Sequence, residues 1–247
     1  MPVTTVDVTT PDGVMDVTLH EPEGGPAPAV IFFSDAGGVR PVMQEMAARL
    51  ASAGYLVAVP NLYYRAGSYE PFDIATLFTV PGERERMQAI IALAGPDGLT
   101  HDTGALLDEL ARQPGRQDQR VGAVGYCMGG NWAFRTAAAH PDRIAAAASF
   151  HGGRLAVAGD PSSPHLLADR ITATVYVAGA AADSSFTAGQ AGLLESALTD
   201  AGVDHTVEFY PARHGFAVPD NPTYDAEASA RHWQALHGLY QSRLRDS

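Results

Sequence analysis

The chain has a single cysteine, Cys127, among 247 residues, so neither an intramolecular disulfide nor a zinc site built from cysteine pairs is open to it. Long apolar runs are missing too. The longest, residues 27–33 and 144–148, fall far short of the roughly 20 residues that span a bilayer. Basic residues are scarce, 16 against 28 acidic, which leaves a formal net charge of −12. A field of that sign opposes polyanions, so neither nucleic acid nor a membrane surface is expected as a partner. An anionic substrate would need a local cluster of arginines. Residues 1–5 carry no basic stretch or apolar core, so no secretory signal is read and a cytoplasmic setting is expected. Neither a repeat nor a low-complexity tract breaks the chain.

What remains is an ordinary globular balance, 46% hydrophobic and 18% charged. One α/β domain over residues 1–247 can bury roughly three quarters of its extended surface without a staple. Short β-branched runs alternate with segments of helical period. Residues 3–8 and 14–19 read as a hairpin turned by Pro11-Asp12-Gly13, and the apolar run 29–34 as a strand covered on both faces. Helical spacing over 41–52 (Val42, Met46, Leu50) stops where Gly54 supplies a C-terminal cap. Further strands are predicted at 55–59, 121–124, 144–149, 173–178 and 206–210. Helices are predicted at 83–94, 103–112, 129–139, 187–201 and from about 224. This alternation predicts a mainly parallel central sheet with helices on both faces. The irregular stretches 63–81 and 152–170 are the expected lids or substrate walls.

The most informative segment is Val121-Gly122-Ala123-Val124-Gly125-Tyr126-Cys127-Met128-Gly129-Gly130, a strand running through Gly-x-Cys-x-Gly into a helix. That is the pattern of a nucleophile elbow, with cysteine in place of serine. Small residues two places to either side let strand and helix approach closely. The backbone N–H groups of Cys127 and Met128 are expected to point towards the helix N-terminus, whose partial positive charge favours a thiolate and a developing oxyanion. Read more simply, Cys127 is a buried structural thiol, because free cysteine usually behaves as a small hydrophobe.

A cysteine nucleophile needs a base and an orienting acid, and hydrolases of this kind carry them in the order nucleophile, acid, histidine. Of the nine histidines, His214 follows the strand at 206–210 within Pro211-Ala212-Arg213-His214-Gly215-Phe216. It therefore falls at the carboxyl edge where open parallel sheets bind ligands. A solvent-facing loop histidine is the plainer reading. His20, His101, His140, His205, His232 and His237 read as solvated or packing residues. Asp183 lies just past the strand at 173–178, 56 residues after Cys127 and 31 before His214. Its alternative role is to cap the helix that follows.

Over residues 29–217 the chain resembles the dienelactone hydrolases, α/β-hydrolases whose cysteine nucleophile opens an unsaturated enol lactone. The resemblance rests on Gly125-Tyr126-Cys127-Met128-Gly129-Gly130, on Gly54-Tyr55-Leu56-Val57-Ala58-Val59-Pro60-Asn61-Leu62-Tyr63, and on His214-Gly215-Phe216-Ala217. It implies the α/β-hydrolase fold, a triad of Cys127, Asp183 and His214, and an oxyanion hole made by the N–H groups of Ala36 and Met128. Two positions depart from the family's pattern. Asp35 stands where the family has a glutamate that pairs with the resting thiol. Val218 stands where it has an arginine that grips a substrate carboxylate, leaving Arg84, Arg86 or Arg213 to supply charge. Asp35 and Tyr126 are thus expected beside the thiol and the substrate. The expected activity is hydrolysis of a small activated ester or lactone through an acyl-thioester, with no metal and no organic cofactor. The alternative is a ligand-binding or redox-sensing protein on the same scaffold.

Overall fold

The computed structural model describes residues 2–77, 79–117 and 120–246, with the side chains of all of these but residues 96 and 97. Its strands are β1 (Val3–Thr10), β2 (Gly13–His20), β3 (Ala29–Phe33), β4 (Leu56–Pro60), β5 (Val121–Tyr126), β6 (Ile144–Phe150), β7 (Thr174–Ala182) and β8 (His205–Arg213). They form one sheet in the order β1-β2-β4-β3-β5-β6-β7-β8. The β1–β2 hairpin and the β2–β4 pair are antiparallel, and all pairs from β4 to β8 are parallel. The helices are α1 (Pro41–Ser52), α2 (Glu83–Ala92), α3 (Gly95–Arg112), α4 (Met128–Ala139), α5 (Ala188–Asp200) and α6 (Ala226–Tyr240).

Every residue of β3, β4, β5 and β6 is buried, because helices cover both faces of the sheet's centre. The strand period of two sorts the side chains between two cores. Ile31 and Phe33 pack with Leu106 and Leu110 of α3, Phe134 of α4 and Leu194 of α5. Val30 and Phe32 pack on the other face with Met46 and Leu50 of α1 and Trp233 and Leu236 of α6. The expected α/β-hydrolase architecture is therefore the observed one. No helix among the described residues is long and apolar enough to cross a membrane.

Two differences from the sequence expectation have clear causes. Helix α3 begins at Gly95 rather than at residue 103. Pro96 falls in its first turn, where a proline costs little because the N–H there has no intrahelical partner. Strands β7 and β8 run on to Ala182 and Arg213, which carries the next residues of each, Asp183 and His214, to the carboxyl edge. The cap of α5 is Thr187, in a capping box with Gln190. Asp183 is therefore not the capping residue.

A buried ion pair ties the opening hairpin to α3. Arg65 donates to both oxygens of Asp102, at 2.7 and 2.9 Å, and to Asp12 of the β1–β2 turn, and Tyr64 also donates to Asp102. The Asp102 side chain is only 1% exposed. Removing the guanidinium would strand its charge, so Arg65→Ala should lower the unfolding free energy by about 3–5 kcal/mol. Arg112→Ala, which breaks an exposed pair with Glu109, should cost less than about 1 kcal/mol. Denaturant unfolding of the two variants measures the contrast, and equal losses would refute it.

Candidate active site

The turn from β5 into α4 places Cys127 at φ 55° and ψ −115°, a left-handed conformation that a side chain occupies only under constraint. Glycines make that turn possible. A Cβ at Gly125 would lie 1.9 Å from the Gly129 carbonyl oxygen, and one at Gly129 would lie 2.4 Å from that of Ser34. Strand, turn, helix and the end of β3 thus meet at backbone contact, and the half-buried sulfur stands at the sheet's carboxyl edge. One expectation is corrected here. The Cys127 N–H is consumed by the Phe150 carbonyl at 3.1 Å, so it does not point into the site. Met128 is the first residue of α4, and its N–H belongs to the set that a helix leaves without an intrahelical partner.

His214 reaches this turn from the end of β8. Its ring bonds Asp183 Oδ2 through Nδ1 at 2.6 Å and lies near enough to Cys127 to feel the charge of its sulfur. Ser185 fixes the carboxylate in turn, its N–H and hydroxyl both donating to Oδ1 at 2.7 Å. Burial alone would push Asp183 up, but the hydrogen bond and charge of His214, with the Ser185 donors, hold it below the usual carboxylate range. Burial likewise opposes charge on His214. The Cys127 charge and the bond to Asp183 outweigh it, and the imidazole is pushed up to about 10. The structure thus brings together the three residues singled out in the sequence.

Ala36 lies in the loop after β3, and its peptide is fixed from several sides. The Asp35 carbonyl accepts the Gly38 N–H at 3.0 Å, which turns the Ala36 N–H of the same trans peptide the opposite way. The Ala36 carbonyl accepts the Tyr63 hydroxyl at 2.9 Å, and that hydroxyl also approaches Met128 Sδ at 3.8 Å. Burial, with Asp35, Tyr69 and Cys127 nearby, pushes the Tyr63 hydroxyl well up, so it remains a donor. Tyr63 packs edge-on against Tyr69 and Phe72, so residues 63–72, the first part of the irregular stretch, supply an aromatic wall beside the loop.

Other expected residues lie elsewhere or are otherwise engaged. Tyr126 is not beside the substrate. Adjacent strand residues face opposite ways, so its ring is buried on the α1–α6 side against Phe32 and Phe150, its hydroxyl 3.1 Å from His232. Asp35 does not pair with the thiol, because its carboxylate accepts from the Gly37 N–H and from both terminal nitrogens of Arg40. Val218 is fully buried in the same core as Tyr126. Arg84 and Arg213 are exposed, and Arg86 pairs with Glu83 and lies over the ring of Phe72.

The sequence reading missed Tyr63, Ser185, Arg40 and His151. His151 follows β6 at φ 40°, and its ring packs edge-on against His214 with centroids 5.2 Å apart. Neither ring nitrogen has a hydrogen-bond partner among the described residues. Burial, then the charges of His214 and His232, push it well down, so it meets His214 as a neutral ring. Its place directly after a central strand was the available signal. Among the described residues no group of three or more potential metal ligands occurs.

Comparison with known proteins bears on the family and the fold. The model of the dienelactone hydrolase family matches residues 15–243. A Synechocystis protein named "Putative carboxymethylenebutenolidase" is 29% identical, over 98% of each chain. A crystal structure from Klebsiella pneumoniae, named "Putative Dienelactone Hydrolase", superposes with a TM-score of 0.81 over 97% of this chain and 99% of that one, at 24% identity. That likeness speaks for the fold. A dienelactone hydrolase-like promiscuous phosphotriesterase from metagenomic libraries superposes at 0.78, with 26% identity over 99% of this chain and 100% of that one.

Proposed function

This chain belongs to the dienelactone hydrolase family, and from that premise we propose that it hydrolyses activated carboxylic esters or lactones through an acyl-thioester on Cys127. One observation carries the reading: the imidazole of His214 is held by a buried, thrice hydrogen-bonded carboxylate and stands next to the sulfur of the strained elbow. The name of the Synechocystis relative supports the lactone arm.

In this reading the thiolate attacks the substrate carbonyl, and the oxyanion that forms is held by the N–H groups of Met128 and Ala36. Collapse of the adduct expels the alcohol or enolate oxygen, which takes the proton from the His214 imidazolium. The acylated sulfur then bears no charge, so the largest of the influences that raise His214 towards 10 is gone. The ring left behind favours its neutral form, as a base for water needs. Water gives His214 a proton and attacks the thioester, and the thiolate leaves with the free acid as product.

A thiolate is itself a good leaving group, so the first adduct reverts unless the substrate's own leaving group departs as readily. Enol lactones, aryl esters and thioesters satisfy that condition, and simple alkyl esters do not. The kcat/KM for p-nitrophenyl acetate should therefore exceed that for ethyl acetate by more than the ratio found for hydroxide. A ratio no greater than that of hydroxide would refute the thiol mechanism.

A further inference from the structure

Arg40 stands between two segments that the hydrolytic reading assigns to different tasks. It is the residue before α1, and its side chain is 10% exposed. On one side it grips Asp35 with two bonds, at 2.6 and 2.9 Å, and donates to the Gly38 carbonyl at 3.3 Å. Asp35 immediately precedes Ala36, and its Oδ1 also accepts the Gly37 N–H at 2.9 Å. On the other side the same guanidinium grips Asp220 with two bonds, at 2.7 and 2.8 Å. Asp220 lies on the segment that leaves His214 and folds back on it. There the Thr223 hydroxyl bonds the His214 carbonyl, and the Asp225 N–H bonds that of Phe216 at 3.1 Å.

We propose that Arg40 is a positioning residue for hydrolysis, a clamp that locks the Ala36 loop to the His214 segment and so sets the oxyanion donor against the imidazole and sulfur. The planar fork suits this task. Two carboxylates 185 residues apart in sequence (35 and 220) are each held by a parallel pair of bonds, which one ammonium could not do. The Ala36 N–H comes from the end of β3 and the imidazole from the end of β8, on opposite sides of β5 in the sheet. Arg40 spans that distance directly. The inference rests on the hydrolytic reading, since an oxyanion donor has meaning only there.

The test uses the full-length protein with two readouts. Hydrolysis of p-nitrophenyl acetate needs the oxyanion donor, whereas alkylation of Cys127 by iodoacetamide is a displacement at saturated carbon and does not. Arg40→Met should lower kcat about 10²-fold, the scale of a misplacement near 1 Å, with KM changed less than about threefold. Its alkylation rate and the pH profile of that rate should stay within about twofold of the wild type. Arg40→Lys should be nearly as impaired, since a point charge neutralises Asp35 without spanning to Asp220. Asp220→Asn keeps the shape and the Asp35 pair, so it should show a smaller kcat loss of the same kind. It decides the matter if Arg40→Met does not fold. Hydrolysis within about threefold of wild type, full rescue by lysine, or alkylation falling in step with kcat would overturn the clamp. Absence of hydrolysis in the wild type would instead remove the hydrolytic reading itself.

Discussion

Replacing Cys127 by alanine should reduce p-nitrophenyl acetate hydrolysis by about 10⁵-fold or more while leaving the fold intact, the scale seen when a nucleophile is removed from a covalent mechanism. The loss is so large because no other group can take over. Cys127 is the only cysteine, and of the hydroxyls at this edge that of Ser149 is buried and that of Ser185 is bonded to Asp183. The fold should survive because the elbow is made by its glycines: contacts at Gly125 and Gly129 draw strand and helix together whatever stands at 127. Cys127→Gly should also be more stable than Cys127→Ala by about 1 kcal/mol, since glycine adopts φ 55° without the strain that a Cβ brings. Activity in the alanine variant within tenfold of wild type would end the covalent mechanism. Equal stability of the alanine and glycine variants would mean that the turn is not strained.

The elbow was legible in the sequence for the same reason that it is robust. Close approach of two backbones admits only glycine, so the constraint is written locally, in residues 125–130. The sheet was legible as well, since β3 to β6 are buried on both faces and so read as continuous apolar runs. Asp183 and His214 could be found by their order and by the strands that precede them. What escaped detection depends on long-range geometry. Arg40 and Asp220 are 180 residues apart, and no local pattern announces that one guanidinium joins them. Tyr126 misled because being next to Cys127 in sequence suggests being next to it in space, yet the pleat turns its ring to the opposite core. His151 was overlooked because a lone histidine before two glycines carries no periodic signal.

Asp183→Asn should lower kcat about 10⁴-fold with little change in the site's shape, and the reason lies in Ser185 as much as in the lost charge. The Ser185 N–H and hydroxyl both donate to Oδ1. The asparagine oxygen must occupy that position, because the amide nitrogen there would face two donors. The nitrogen then takes the place of Oδ2 and points its own hydrogen at His214 Nδ1. Nδ1 becomes an acceptor and the ring proton moves to Nε2, on the sulfur side, so the imidazole can no longer take a proton there. Titration should follow the same logic. Asp183 is among the influences that raise His214 towards 10, so NMR should find the imidazole titrating at lower pH in the variant. Stability is linked to both groups. The depressed Asp183 contributes above the ordinary carboxylate pKa and loses its contribution as pH falls through its folded value. The raised His214 contributes in full below its unfolded pKa, near 6.5, and loses its contribution as pH rises towards 10. The stability gap between wild type and Asp183→Asn should therefore be widest from about pH 4 to about 6.5, closing on either side. A gap that grew steadily with alkalinity, or a His214 titration unmoved by the substitution, would show that Asp183 does not govern the ring.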